Sequence, residues 1–135
     1  MNNLRFATAV HILVLLDKFK GQLITSEFIA GSINVNAVVV RREIKVLREA
    51  HYILAKKGKE GGLCLAIAAK EILLGDLYKL VNQQNRLGRM NQPNPLCSVG
   101  KQMNGHLDTL FNRVDRELHI SLNEQSLADF SAHIA

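Results

Sequence analysis

The stretch from Ile24 to Leu65, ITSEFIAGSINVNAVVVRREIKVLREAHYILAKKGKEGGLCL, constrains the fold of this chain more than any other. Its apolar spacing predicts a short helix, a tight turn, a second helix, then a two-stranded hairpin with a basic, glycine-rich tip. The second helix begins at Asn36 or Ala37 and runs to Ala50. Val40, Ile44 and Leu47 recur at i, i+4, i+7 and form one buried stripe. Val38, Arg41, Arg42 and Lys45 lie opposite, with Arg48 at the margin. A compact basic face beside an exposed valine suits a helix laid into a DNA major groove. Arginine reaches guanine edges or phosphates there, and valine touches a thymine methyl. A solvated basic face is the plain alternative.

The flanking segments favour the groove. Thr25 or Ser26 can cap the short helix, and Glu27 complements its positive end. Phe28, Ile29 and Ile33 are expected to supply its buried contacts. Gly31-Ser32 and Asn34-Val35-Asn36 make the break between two steeply crossed helices, with Asn36 placed to cap the second. His51 stands where glycine usually ends a helix, and histidine tolerates that left-handed position better than most residues. Beyond it, Tyr52–Ala55 and Leu63–Ala66 flank Lys56, Lys57, Gly58, Lys59, Glu60, Gly61 and Gly62. Helix-turn-helix plus basic hairpin predicts a winged helix: mainly α, with a small β-hairpin wing.

Charge divides the chain in two. Residues 1–62 contain ten Lys/Arg and five acids, whereas residues 63–135 contain seven of each. All of the net +5 therefore sits with the helix-turn-helix and wing, which points to a polyanionic partner for that half. Two distant cysteines argue for a reducing compartment and against a structural disulfide. No apolar run reaches the roughly 18 residues that span a membrane. The start, MNNLRFATAVHILVLLDKFKGQ, reads as a helix rather than a signal peptide. A cytoplasmic protein is expected.

The first helix should cover Asn3 to Phe19, with Ala7, Val10 and Val14 turned inward and His11 partly buried beside them. Lys18, Lys20 and Gly21 close it, and Leu23-Ile24 can pair briefly with the wing. After the wing, Ile72, Leu73, Leu77, Leu80 and Val81 are helix-spaced, and Gly75 reads as the break before the helix proper. A polar loop holding Pro93 and Pro95 follows. From Ser98 to Leu118 a long helix returns, with Val99, Met103, Leu107, Leu110, Val114 and Leu118 on one face and Phe111 on the flank. Either the first helix or a second copy of the chain can cover that stripe. A two-fold dimer fits better, because small DNA readers usually address paired half-sites. Ser121 and Glu124 have capping-box spacing for a last helix through Leu127 and Phe130. The expected organisation is a DNA-binding domain over 1–82, a flexible cysteine-bearing loop over 83–98, and a dimerisation helix plus C-terminal helix over 99–135.

Enzymatic motifs are missing: no HExxH, GxSxG, glycine-rich phosphate loop or CxxC occurs. The histidines at 11, 51, 106, 119 and 133 have no local metal-ligand spacing, so neither catalytic nor metal site is expected. Cys97 precedes the long helix, whose dipole would favour the reactive thiolate; the alternative is a small buried residue. Cys64, between Leu63 and Leu65, reads as packing.

The runs TSEFIAGSINVNAVVVRREIKVLREAHYI, GGLCLA and EILLGDLYKLV resemble the Rrf-two (Rrf2) family of bacterial winged-helix regulators, over nearly the whole chain. That family includes IscR, NsrR and CymR. VVVRR on the second helix and GG at the wing exit are the most specific pieces. The resemblance implies a homodimeric regulator, with Thr25, Ser26, Asn36, Val38, Val39, Arg41, Arg42, Lys57, Lys59, Gly61 and Gly62 approaching double-stranded operator DNA. Lys45, Lys57 and Lys59 are expected on phosphates, and Val38, Arg41 and Arg42 on bases. Cluster-binding members carry three cysteines in the loop before the dimer helix, whereas this chain has Cys97 there. It therefore resembles members without an iron–sulfur cluster, and no cofactor is expected. Repression with a thiol response through Cys97 is the leading expectation. A small-molecule effector, or a winged helix that binds an acidic protein, are the alternatives.

Overall fold

Helix α1 (Arg5–Lys18) is the axis of the computed structural model, which describes residues 3–82 and 87–135. Around it pack α2 (Ser26–Ile33), α3 (Ala37–Glu49), the second strand of the hairpin β1 (Ile53–Lys56) and β2 (Gly62–Leu65), α4 (Leu74–Val81), and α6 (Leu127–Ser131). The long α5 (Ser98–Leu122) lies outside this group against α4. Ala9, Ile12, Leu13 and Leu16 of α1 are buried, while Ala7 is exposed. Val10 and Val14 of the expected inward stripe are buried with them, so Ala7 alone of the three faces outward. RFATAVHILVLLDK is apolar almost all round, so its neighbours rather than its own periodicity choose the face. His11 is half-buried, its Nε2 lying 3.0 Å from Ser32 Oγ.

Both helix starts in the helix-turn-helix are capped by side chains. Thr25 Oγ1 accepts from the Phe28 N–H at 3.1 Å, and Asn36 Oδ1 from the Val38 N–H at 2.8 Å. Between them Asn34 turns the chain at φ 63°, a conformation asparagine tolerates well. Val40 and Leu47 are fully buried, with Ile44 beside them. Phe28 departs from expectation: it is exposed and meets Phe19 edge-on at 5.4 Å. His51 takes φ 67° after α3, and the Tyr52 N–H returns to the Leu47 carbonyl at 2.9 Å. The hairpin pairs Ile53 with Leu65 and Lys56 with Gly62. Ile24 joins its far edge through two hydrogen bonds with Leu63, at 3.0 and 2.8 Å. Buried Ile53 and Leu63 root the wing in the core.

Two expectations for the second half fail for physical reasons. Gly75 does not break the chain before α4; it lies inside the first turn, where α5 approaches too closely for a side chain. The last capping box is Ser126–Asp129 rather than Ser121–Glu124, because α5 continues through Leu122. Ser126 Oγ accepts the Asp129 N–H at 3.1 Å, and the Asp129 carboxylate accepts the Ser126 N–H at 3.0 Å. Leu127 is fully buried in the same core as α1, and its N–H bonds the Ile72 carbonyl at 2.7 Å. The C-terminal helix thus returns to the winged-helix body. Part of the expected loop, residues 83–86, lies outside the described residues.

Candidate nucleic-acid interface

The turn at Asn34 and the cap at Asn36 present α3 with one face in the core and the other to solvent. On the outer face Val38 is 66% exposed, and Arg41, Arg42, Lys45 and Arg48 are exposed with it. Val39 is half-buried at the edge. Among the described residues Arg42 and Lys45 form no ion pair, so their charges are free for a ligand. Arg41 is held instead: its Nη2 donates to Glu27 Oε1 at 3.0 Å. Glu27 titrates below its ordinary value, first because a backbone N–H bonds its carboxylate and then because of Arg41. At this degree of exposure the pair orients Arg41 more than it stabilises the fold.

A second acidic residue anchors the helix from behind. Glu43 is 1% exposed, and Arg5 Nε donates to its two oxygens at 3.1 and 3.0 Å. That hydrogen bond, partly offset by burial, raises the Arg5 pKa. Sequence reading missed the pair. The spacing 40, 43, 44, 47 does place Glu43 on the inner face, but its partner lies 38 residues away.

The wing follows α3, and β1 packs beside it. Lys56, Lys57 and Lys59 are all exposed around the tip. Gly58 supplies the turn at φ 109°, and the Gly61 N–H returns to its carbonyl at 3.0 Å. Gly61 and Gly62, expected to approach DNA, are half-buried at the wing exit. A Cβ on Gly61 would lie 2.1 Å from the Lys56 carbonyl oxygen, and one on Gly62 would lie 3.0 Å from the Leu23–Ile24 backbone. Their evident work is to let the hairpin close and pack. Thr25 is exposed, and Ser26 Oγ donates to Glu27 at 3.3 Å.

Cys97 is the N-cap of α5 and is exposed; its Sγ accepts the Gly100 N–H at 3.5 Å. The N–H groups of Gly100 and then Val99 stabilise the thiolate and lower the pKa from 9.0. Cys64 is half-buried in β2, paired across the hairpin with Leu54. Along α5, Val99, Met103 and Leu110 are exposed, while Leu107, Val114 and Leu118 are half-buried. Phe111 turns into the chain and is buried. Among the described residues no group of three or more His, Cys, Asp or Glu is placed to hold a metal ion, and no helix is long and apolar enough to cross a membrane.

Comparison with known proteins adds to this geometry. The Rrf2 family, described as an iron-dependent transcriptional regulator, matches residues 3–133. YwnA of Bacillus subtilis (strain 168), a candidate HTH-type transcriptional regulator, is 37% identical over 135 residues, covering 99% of each chain. A candidate transcriptional regulator from Lactobacillus plantarum superposes with a TM-score of 0.83 at 28% identity, over 96% of this chain and 88% of that one. CymR, the global cysteine regulator of B. subtilis, shares the fold with a TM-score of 0.74 at 18% identity, over 100% of this chain and 98% of its own.

Proposed function

The chain belongs to the Rrf2 family and is a DNA-binding transcriptional regulator rather than an enzyme; from that premise we propose that it works as a homodimeric repressor on a two-fold operator. The observation that carries this reading is the exposed basic face of α3 beside a lysine-ringed wing. In the proposed complex Arg41, Arg42 and Val38 meet base edges in the major groove. Lys45, Lys57 and Lys59 neutralise phosphates, and backbone near the Thr25 and Asn36 caps approaches the strands. Occupation of the operator then excludes the transcription machinery.

The α5 stripe supplies the dimer contact. Because Met103 and Leu110 are exposed within the chain, charges there cost the monomer little. The double variant Met103→Glu, Leu110→Glu is expected to sediment as a folded monomer with operator affinity reduced at least about tenfold, the scale of a lost paired contact. A variant that remains dimeric and binds normally would place the subunit contact elsewhere.

The family's description names iron, but the thiol donors here do not fit an ordinary cluster. Such clusters take most of their ligands from cysteine thiolates, and only Cys97 stands by α5 while Cys64 is in the wing. We propose regulation without a cluster, through Cys97. Peroxide transfers one oxygen to its thiolate, giving a sulfenate and water; the added oxygen changes the size and hydrogen bonding at the α5 cap while the charge stays the same. Since the thiol pKa is lowered, alkylation of Cys97 by iodoacetamide should reach half its limiting rate at a lower pH than that of cysteine in an unstructured peptide. A midpoint at or above that of the unstructured peptide would remove the basis for sensing, as would an unchanged peroxide response in Cys97→Ser.

A further inference from the structure

α5 joins the winged-helix body across a seam that is both close and polar. A Cβ on Gly75 would lie 2.3 Å from Asn123 Oδ1 and 2.4 Å from the His119 carbonyl oxygen, so α4 and α5 can approach this far only over glycine. The next residue fixes their register. The Asp76 N–H donates to Asn123 Oδ1 at 3.0 Å, while Asn123 Nδ2 donates to Asp76 Oδ1 at 3.2 Å. The same carboxylate oxygen lies 2.8 Å from His119 Nε2. One amide therefore grips both the backbone and the side chain of Asp76. The seam continues where the Leu74 N–H meets the Gln125 carbonyl at 3.1 Å.

We propose that the Asp76–His119–Asn123 clamp determines which half-site spacing the regulator accepts, an inference that rests on the paired-site dimer proposed above. The clamp holds the C-terminal end of α5, and the exposed stripe begins at the other end with Val99. From Asn123 to Val99 the helix spans about 36 Å at 1.5 Å per residue. Over that lever a tilt of about 5–6° moves the far end by about 3.4 Å, the rise of one base pair. Inserting one base pair also turns a half-site by about 35°. Two recognition helices can reject such a change only if the joint between body and dimer helix resists small rotations. Directional bonds on both sides of Asp76, over a contact with no room for a side chain, give that resistance. Asp76, His119 and Asn123 are thus positioning residues that act on specificity through α3 without touching DNA.

The test uses duplexes that carry two half-sites, selected by the wild-type protein, at the selected spacing and with one base pair added or removed. Wild type is expected to lose at least about tenfold in affinity for either change, the scale of a mismatched base pair. Asp76→Ala should lose less than about threefold, with dimerisation and single-half-site binding unchanged within about twofold. If Asp76→Ala does not fold, Asn123→Ala is read in the same assay with the same expectation. A spacing penalty equal to wild type in the folded variant overturns the clamp while leaving the paired-site dimer intact. A wild type that binds single and paired half-sites alike overturns the dimer reading, and the clamp with it.

Discussion

Replacing Arg5 with alanine is expected to lower the unfolding free energy by about 3 kcal/mol, near the lower end for breaking a buried ion pair. Glu43 is 1% exposed and Arg5 Nε is its hydrogen-bond partner from α1, so the substitution strands a carboxylate in the core. The Arg5 side chain is itself 37% exposed, which places the effect at the lower end because water reaches that side of the pair. Against a total of about 5–15 kcal/mol for a domain, the loss is large. It also falls on α3, the helix proposed to meet DNA. Urea denaturation at neutral pH would show it as a lower midpoint with unchanged slope. The companion variant Arg5→Ala, Glu43→Leu should recover most of the stability, since an apolar residue there joins Val40, Ile44 and Leu47. A single-variant loss under about 1 kcal/mol would mean that the carboxylate finds water and that the pair does not anchor α3.

Arg42→Ala should weaken operator binding by about 1–3 kcal/mol, roughly five- to 150-fold, while changing affinity for random DNA far less. Arg42 is exposed on the outer face of α3 and forms no ion pair among the described residues, so removing it leaves no stranded partner in the free protein. Lys57→Ala at the wing should behave differently, weakening both DNAs alike and reducing the salt slope by about 0.9. Arg41 is a mixed case because its guanidinium is already held by Glu27. Fluorescence anisotropy with the two duplexes separates the roles. Equal losses on both for Arg42→Ala would reassign it to phosphate.

The winged helix was legible because its signals are local. Caps at Thr25 and Asn36, the left-handed residue at His51, and a glycine-lysine hairpin tip each declare themselves within a few residues. The basic face of α3 was legible for the same reason, through helical spacing alone. What stayed hidden depends on partners far along the chain. Ala7 was placed inward because nothing in a helix apolar all round marks which side its neighbours occupy. Gly75 looks like a chain break until Asn123 and His119 are brought against it. Ser121–Glu124 and Ser126–Asp129 have the same capping spacing, and only the continuation of α5 through Leu122 selects the second. Glu43 carried the right spacing but the wrong charge for a core residue, and Arg5 explains it.

The basic α3 face and wing are proposed to bind DNA by sequence. The most direct test of that proposal is the affinity of the wild-type protein for a duplex from upstream of its own gene and for a scrambled duplex, across a salt series. Tighter binding to the upstream duplex is expected, with log K on both duplexes falling by roughly 0.9 per phosphate neutralised for each tenfold rise in salt. Binding that ignores both salt and sequence, there and on duplexes drawn from a random-sequence selection, would contradict it.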